Sequence, residues 1–359
     1  MVEWLAGNRI RGTSTERTTT TGFNPVAAVS GGWVEVGRTT LGSAGDTITV
    51  SGLSDKRYHM FLVDQKATGN TNIGSQFNAD TGTNYSTRAS INGASDATSI
   101  NSTSWAGNWG SAISTNAFHI GNISNLSTEE KLTILHSVYQ RTAGAGTSPE
   151  RQELVGKWTN TSASISSMLW KNTDSGSYDT GSELVVLGWD DSDTHTTNFW
   201  EELDSVTLSS TNANLASNTF TAKKYLWIQM YLRWDDKSGD GLITFNGDTG
   251  TNYSDRHSYN GGSDATSVSS PNFKINSSTI KTSALVNIFT VNNSANEKLS
   301  IMHVNGVYTA GAGTAPDRRL ESVSKWANTS SQITSMNVQS VEGGAVFNPG
   351  TTIKVWGSD

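Results

Sequence analysis

The chain has 359 residues, no cysteine, a formal net charge of −7 and only 16% charged residues. The missing cysteines exclude disulfides and thiolate metal sites, and the absence of a basic block disfavours direct packaging of nucleic acid. Met1 is followed by no apolar h-region and no run approaches ~18 apolar residues, so neither conventional secretion nor a membrane span is expected.

Residues 1–30 are rich in Thr and Gly and hold few core-grade side chains. Such a segment cannot offset its ordering entropy alone. An extended N-terminal arm laid against another subunit is expected, with Trp4, Arg9, Arg11 and Phe23 as its contacts.

The rest of the chain is written twice. Residues 77–99 read FNADTGTNYSTRASINGASDATS and residues 245–267 read FNGDTGTNYSDRHSYNGGSDATS, with 18 of 23 positions identical. Further pairs keep the order: Trp33 with Trp200, Glu130-Lys131-Leu132 with Glu297-Lys298-Leu299, Thr142–Gly146 with Thr309–Gly313, and Lys157-Trp158 with Lys325-Trp326. The period is far longer than the ~20–50 residues of a solenoid unit. Each copy has the size of a domain with its own core. The expected division is repeat 1 at 31–190, a polar linker at 191–196 and repeat 2 at 197–359.

Within each copy helix signals are weak, because Gly and β-branched residues break the 3.6-residue pattern. The capping-box spacing at Ser127–Glu130 supports one turn at most. Strand signals recur at Asp46–Val50, Tyr58–Val63, Leu184–Leu187 and Tyr225–Leu232, and Asn92-Gly93 and Asn260-Gly261 mark turns. Seven or eight short strands per copy predict an all-β protein of two tandem jelly-roll-like sandwiches. Trp33, Trp200, Trp158 and Trp326 read as core anchors of the repeat. Trp105, Trp109, Trp170 and Trp234 have no partner in the other copy and are free for another task.

Asp80 and Asn84, with Asp248 and Asn252, offer oxygens that a Ca²⁺ ion would accept. A tight turn, with Asp capping backbone amides, is the stronger reading. No cofactor or metal is therefore assigned. Asp236–Gly241 opens like a calcium loop but has Gly247 where the bidentate Glu belongs, and reads as a solvated loop. Arg88 with Asp96, and Arg256 with Asp264, read as ion pairs pinning the signature. His136 and His303 lie in apolar runs without the partners of a triad. No Gly-rich phosphate loop, HExxH or GxSxG occurs, so no catalytic residue is assigned and an enzyme is the least expected class.

The motifs WVEVGRTTLG (33–42), FNxDTGTNYSxR, TAGAGTxPxR, KWxNTS and TTIKVWGSD resemble a family of repeat-bearing virion structural proteins of marine tailed phages. The opening EWLAGNRIRGTSTER (3–17) is similar to the arm of such proteins. The resemblance implies a β-rich, non-enzymatic protein located in the virion and assembled in the host cytoplasm. An outer capsid or decoration protein is the leading expectation, partnered by itself and by the capsid shell, a symmetric trimer being one arrangement that fits. The alternatives are a jelly-roll major capsid protein and a glycan-binding tail fibre. The glycan reading rests on Trp105, Trp109 and Trp234 being exposed.

Overall fold

The computed structural model describes residues 32–106, 115–191, 193, 197–235, 237, 239–275, 282–341 and 343–359. The expected arm contacts Trp4, Arg9, Arg11 and Phe23, and also Trp109, lie outside these residues.

Repeat 1 opens with β1 (Val34–Thr40), β2 (Thr47–Ser51), β3 (Tyr58–Gln65) and β4 (Ile73–Phe77). It continues with β5 (Tyr85–Ile91), β6 (Ala97–Ser102), β7 (Trp105–Ala106) and β8 (Ala117–Ser124). It closes with β9 (Lys131–Tyr139), β10 (Glu150–Trp158), β11 (Ser167–Asn172) and β12 (Glu183–Trp189). Repeat 2 repeats the series. Its first half is β13 (Glu201–Thr207), β14 (Asn214–Ala216), β15 (Tyr225–Arg233), β16 (Asp240–Phe245), β17 (Tyr253–Tyr259) and β18 (Ala265–Ser270). Its second half is β19 (Phe273–Lys274), β20 (Ser283–Val291), β21 (Lys298–Val307), β22 (Arg318–Trp326), β23 (Met336–Val341) and β24 (Thr352–Ser358).

The chain is all-β, and its strand order is that of a jelly roll. The large sheet runs β1-β12-β3-β8-β9-β10-β5-β6 and the small one β2-β11-β4-β7. First pairs with last and second with last but one, which is how a jelly roll wraps. The hairpins β5–β6 and β9–β10 are insertions that both lengthen the large sheet past β8. Repeat 2 keeps the same order, β13-β24-β15-β20-β21-β22-β17-β18 and β14-β23-β16-β19. Twelve strands per copy replace the expected seven or eight. Of the four inserted strands, β9 and β10 are nine residues long and carry apolar residues, whereas β5 and β6 are polar with little apolar alternation to announce them: β6 and its counterpart β18 read ATSINS and ATSVSS. The Asn-Gly turns behave as their chemistry requires. Asn92 and Gly93 take φ of 53° and 70°, Asn260 and Gly261 take 52° and 74°, the values of a type I′ hairpin turn.

Each sandwich has its own core between its two sheets. In repeat 1 this includes Ile48, Phe61, Phe77, Tyr85, Trp158 and Trp170. In repeat 2 it includes Leu232, Trp234, Phe245, Tyr253, Trp326 and Phe347. A third buried cluster lies between the repeats. It joins Met60, Leu62, Phe118 and Ile120 to Trp200, Tyr225, Leu299 and Ile301. The period of two explains this. On β3, Phe61 and Val63 face the repeat's own core, while Met60 and Leu62 point out from the other side of the sheet. The two large sheets therefore meet back to back, and the small sheets form the outer layers.

Candidate functional site: the seam between the repeats

The duplicated signature folds into the same corner twice. Trp158 Nε1 donates to Asp80 Oδ2 at 2.7 Å, Gly82 N–H to Asp80 Oδ1 at 2.8 Å, and Asn84 Nδ2 to Asp80 Oδ2 at 2.9 Å. Trp326, Gly250 and Asn252 repeat these contacts on Asp248 at 2.7, 2.8 and 2.9 Å. Burial works against the charge, but these donors hold both carboxylates below the usual range. Trp158 and Trp326 are core residues, as their repetition suggests. Lys131 and Lys298 lie over their rings, each 5.6 Å from the centroid.

The other repeated tryptophans differ from expectation. Trp200 is buried in the seam and Trp33 packs against the same cluster, so neither belongs to a sandwich core. Both precede an edge strand, β1 or β13, on the outward side of the large sheet. Trp105, Trp170 and Trp234, expected to be free, are buried in the cores. Asp240, expected in a solvated loop, is buried at the start of β16; Asp236 lies outside the described residues.

The seam brings together groups that the sequence shows only as scattered repeats. The β9–β10 loop of repeat 1, which carries Thr142–Gly146, docks on repeat 2. Lys325 donates to the carbonyls of Gln140 and Thr142. Gly144 N–H donates to Glu297, and Ser269 N–H to the Ala145 carbonyl at 2.8 Å. Arg256 Nε donates to the Pro149 carbonyl at 2.9 Å. Arg151 bridges the repeats, donating to Asp264 at 2.7 Å and to Glu321 at 2.9 Å. At the other flank Lys224 and Tyr225 donate to Glu183, both at 2.9 Å, and Asn293 to Asp64 at 2.7 Å. The two signature ion pairs therefore diverge. Arg88 and Asp96 form an exposed pair at 3.3 Å, whereas Arg256 and Asp264 stand 3.9 Å apart and each binds repeat 1 more closely.

His136 and His303, equivalent in the repeat, meet across the seam with ring centroids 4.5 Å apart. Their nitrogens and a Glu153 oxygen lie within 4.8 Å of one another. These are the described residues that offer a clustered set of metal-ligand atoms, but the guanidinium of Arg151 is bonded to Glu153. Burial, and then the neighbouring His303, hold His136 down to about 3. Burial also lowers His303. Burial pushes Glu153 up to about 7 despite Arg151, and the facing Glu321 adds to the rise. The centre of the seam thus favours neutral imidazoles and eases protonation of Glu153, while Arg151 offsets its charge when it is ionised.

No family model and no curated protein matches this chain. Among solved structures it is similar to the mouse laminin alpha1 chain, domains LG4-5, at 9% identity and a TM-score of 0.19, covering 91% of each chain. It is also similar to Acinetobacter baumannii OccAB4 at 9% identity and a TM-score of 0.11, over 84% of this chain and 98% of that one. With scores this low, the assignment to tandem jelly-roll sandwiches rests on the strand order itself.

Proposed function

We propose that the chain is a non-enzymatic structural protein of a tailed-phage particle, an outer capsid or decoration protein that works through its faces. The observation that carries this reading is the seam: a large-sheet face of one repeat serves as a docking surface for the other. Jelly-roll sandwiches serve in capsid and lectin domains alike. Stacking on sugars needs exposed aromatic rings, and burial of Trp105 and Trp234 removes two of the three candidates for it. The resemblance of the long motifs to those of virion structural proteins supports a place in the particle, without choosing a position on it. A major capsid protein is the second reading, supported by a complete jelly roll in each copy.

Addition of the purified protein to shells that lack it is the test. Binding at hundreds of copies per particle, with raised resistance to heat, is the expected result. Spontaneous shell formation by this chain alone favours the second reading. Labelling confined to the tail tip, at a dozen copies or fewer, overturns both.

A further inference from the structure

The duplication places one histidine–glutamate pair on each of the two faces that meet in the seam. On repeat 1, His136 of β9 stands opposite Glu153 of β10. On repeat 2, His303 of β21 stands opposite Glu321 of β22. All four side chains lie on the outward side of their large sheets, because Leu135, Leu154, Met302, Val304 and Leu320 take the alternate positions in the two cores. Back-to-back docking brings the two pairs together from opposite sides. The imidazole centroids are 4.5 Å apart, and imidazole nitrogens and a Glu153 oxygen lie within 4.8 Å of one another.

Neither imidazole has a hydrogen-bond partner among the described residues. The other three described histidines each have one. His59 Nδ1 is 3.2 Å from the Leu187 carbonyl, His119 Nδ1 is 2.8 Å from Ser137 Oγ, and His257 Nδ1 is 2.6 Å from Asp255 Oδ1. A partly buried ring nitrogen without a partner is the exception that asks for a ligand, and neutral imidazole is the form that binds a metal. The carboxyl side of the cluster is short of positive charge. Arg151 Nη1 donates to Glu153 Oε1 and, at 2.9 Å, to Glu321 Oε2, while its Nη2 donates to Asp264 Oδ1 at 2.7 Å. One guanidinium thus serves three carboxylates. Arg319 and Arg256 stand further off, 3.5 Å from Glu321 and 3.9 Å from Asp264. Arg151 takes one oxygen of Glu153 and leaves Oε2 for another partner. A carboxylate held by a hydrogen bond on one oxygen is how metal-ligating carboxylates are oriented.

We infer that the seam holds one divalent transition-metal ion of the zinc class, bound by a nitrogen from each of His136 and His303 and an oxygen of Glu153, with Glu321 as the fourth donor. Two imidazoles and carboxylate oxygens suit Zn²⁺, whereas Ca²⁺ and Mg²⁺ take oxygen ligands alone. A tetrahedral ion about 2.0–2.1 Å from each donor sets the donors roughly 3.3 Å apart. The two rings and the Glu153 carboxyl therefore close on the ion by rotation about their own side-chain bonds. Each repeat supplies one histidine and one glutamate, so the set is complete only when the two faces are docked. The ion acts as a clamp between the sandwiches, and its binding adds to the stability of the seam. The inference goes beyond the particle reading and stands independently of it.

Zinc alone is the probe, added to the full chain after treatment with a chelator. Equilibrium dialysis should give saturable uptake of one Zn²⁺ per chain, and the melting temperature should rise with zinc concentration. His136→Gln and His303→Gln should each abolish that uptake, and Glu153→Gln should weaken it. His257→Gln, which alters a histidine outside the cluster, should leave it unchanged. The zinc-free melting temperature of each variant checks that it is folded. Co²⁺ bound to the unaltered chain gives a second readout that needs no variant: its visible absorption should be the intense band of a four-coordinate ion. Should a variant fail to fold, that spectrum decides. No saturable uptake, uptake that survives either histidine substitution or follows His257 instead, or the pale spectrum of six-coordinate Co²⁺, overturns the proposal.

Discussion

At the scale of single residues, the two copies show how one position can carry different chemistry in the same fold. His119 is fully buried in repeat 1, with Nδ1 2.8 Å from Ser137 Oγ. In repeat 2 the matching cross-strand pair is Val286 and Val304. Burial holds His119 down to about 3. A histidine whose folded value lies below its unfolded value stabilises fully above pH 6.5, and that contribution is lost as pH falls from 6.5 towards 3. The loss is on the order of 4 kcal/mol for one such residue. The double variant His119→Val, Ser137→Val should flatten the melting profile over this window, while a single His119→Val leaves Ser137 unpaired. Calorimetry between pH 3 and pH 7 checks this. The signature aspartates allow a paired comparison. Asp80→Ala strands three donors, Trp158, Gly82 and Asn84, and should cost about 2–3 kcal/mol in urea denaturation; Asp248→Ala should cost the same. A much smaller loss would mean that water replaces the carboxylate.

At the scale of elements, cross-strand pairs carry compensated volumes. Phe61 on β3 pairs with Gly121 on β8, and the equivalent pair on β15 and β20 is Ile228 with Ile288. A Cβ at Gly121 would stand 2.1 Å from the Phe61 ring, so this glycine exists to admit the phenyl group. Gly121→Ile should destabilise by about 3 kcal/mol or more through overpacking, and Phe61→Ile in the same chain should recover most of it. A double variant no better than the single one refutes the pairing. Elements such as β3 and β15 are legible in the sequence because long apolar runs between polar stretches announce them, and so are the Asn-Gly turns. The hairpins β5–β6 and β17–β18 are not, because Ser, Thr and Asn fill them and their backbone ladders, rather than an apolar face, define them. The signature reads as turns in sequence; in space it also contains these strands.

At the scale of the whole molecule, the duplication and the length of each copy are legible from the repeat alone, but the seam is not. Leu132 and Leu299, or Ile134 and Ile301, are identical residues with opposite fates, and no local pattern separates them. Only the lopsided docking of two similar faces decides which is buried. Each large side chain buried there contributes about 1.5–3 kcal/mol, enough across the cluster to couple the sandwiches into one unfolding unit. A carboxylate placed in the seam should break that coupling without touching either core. Ile301→Asp should cost roughly 3 kcal/mol or more and split a single calorimetric transition into two. Ile134→Asp, at the equivalent exposed position, should leave the single transition in place. Two transitions in the unaltered chain, or equal effects from the two substitutions, would show that the sandwiches unfold independently and that the seam adds no coupling.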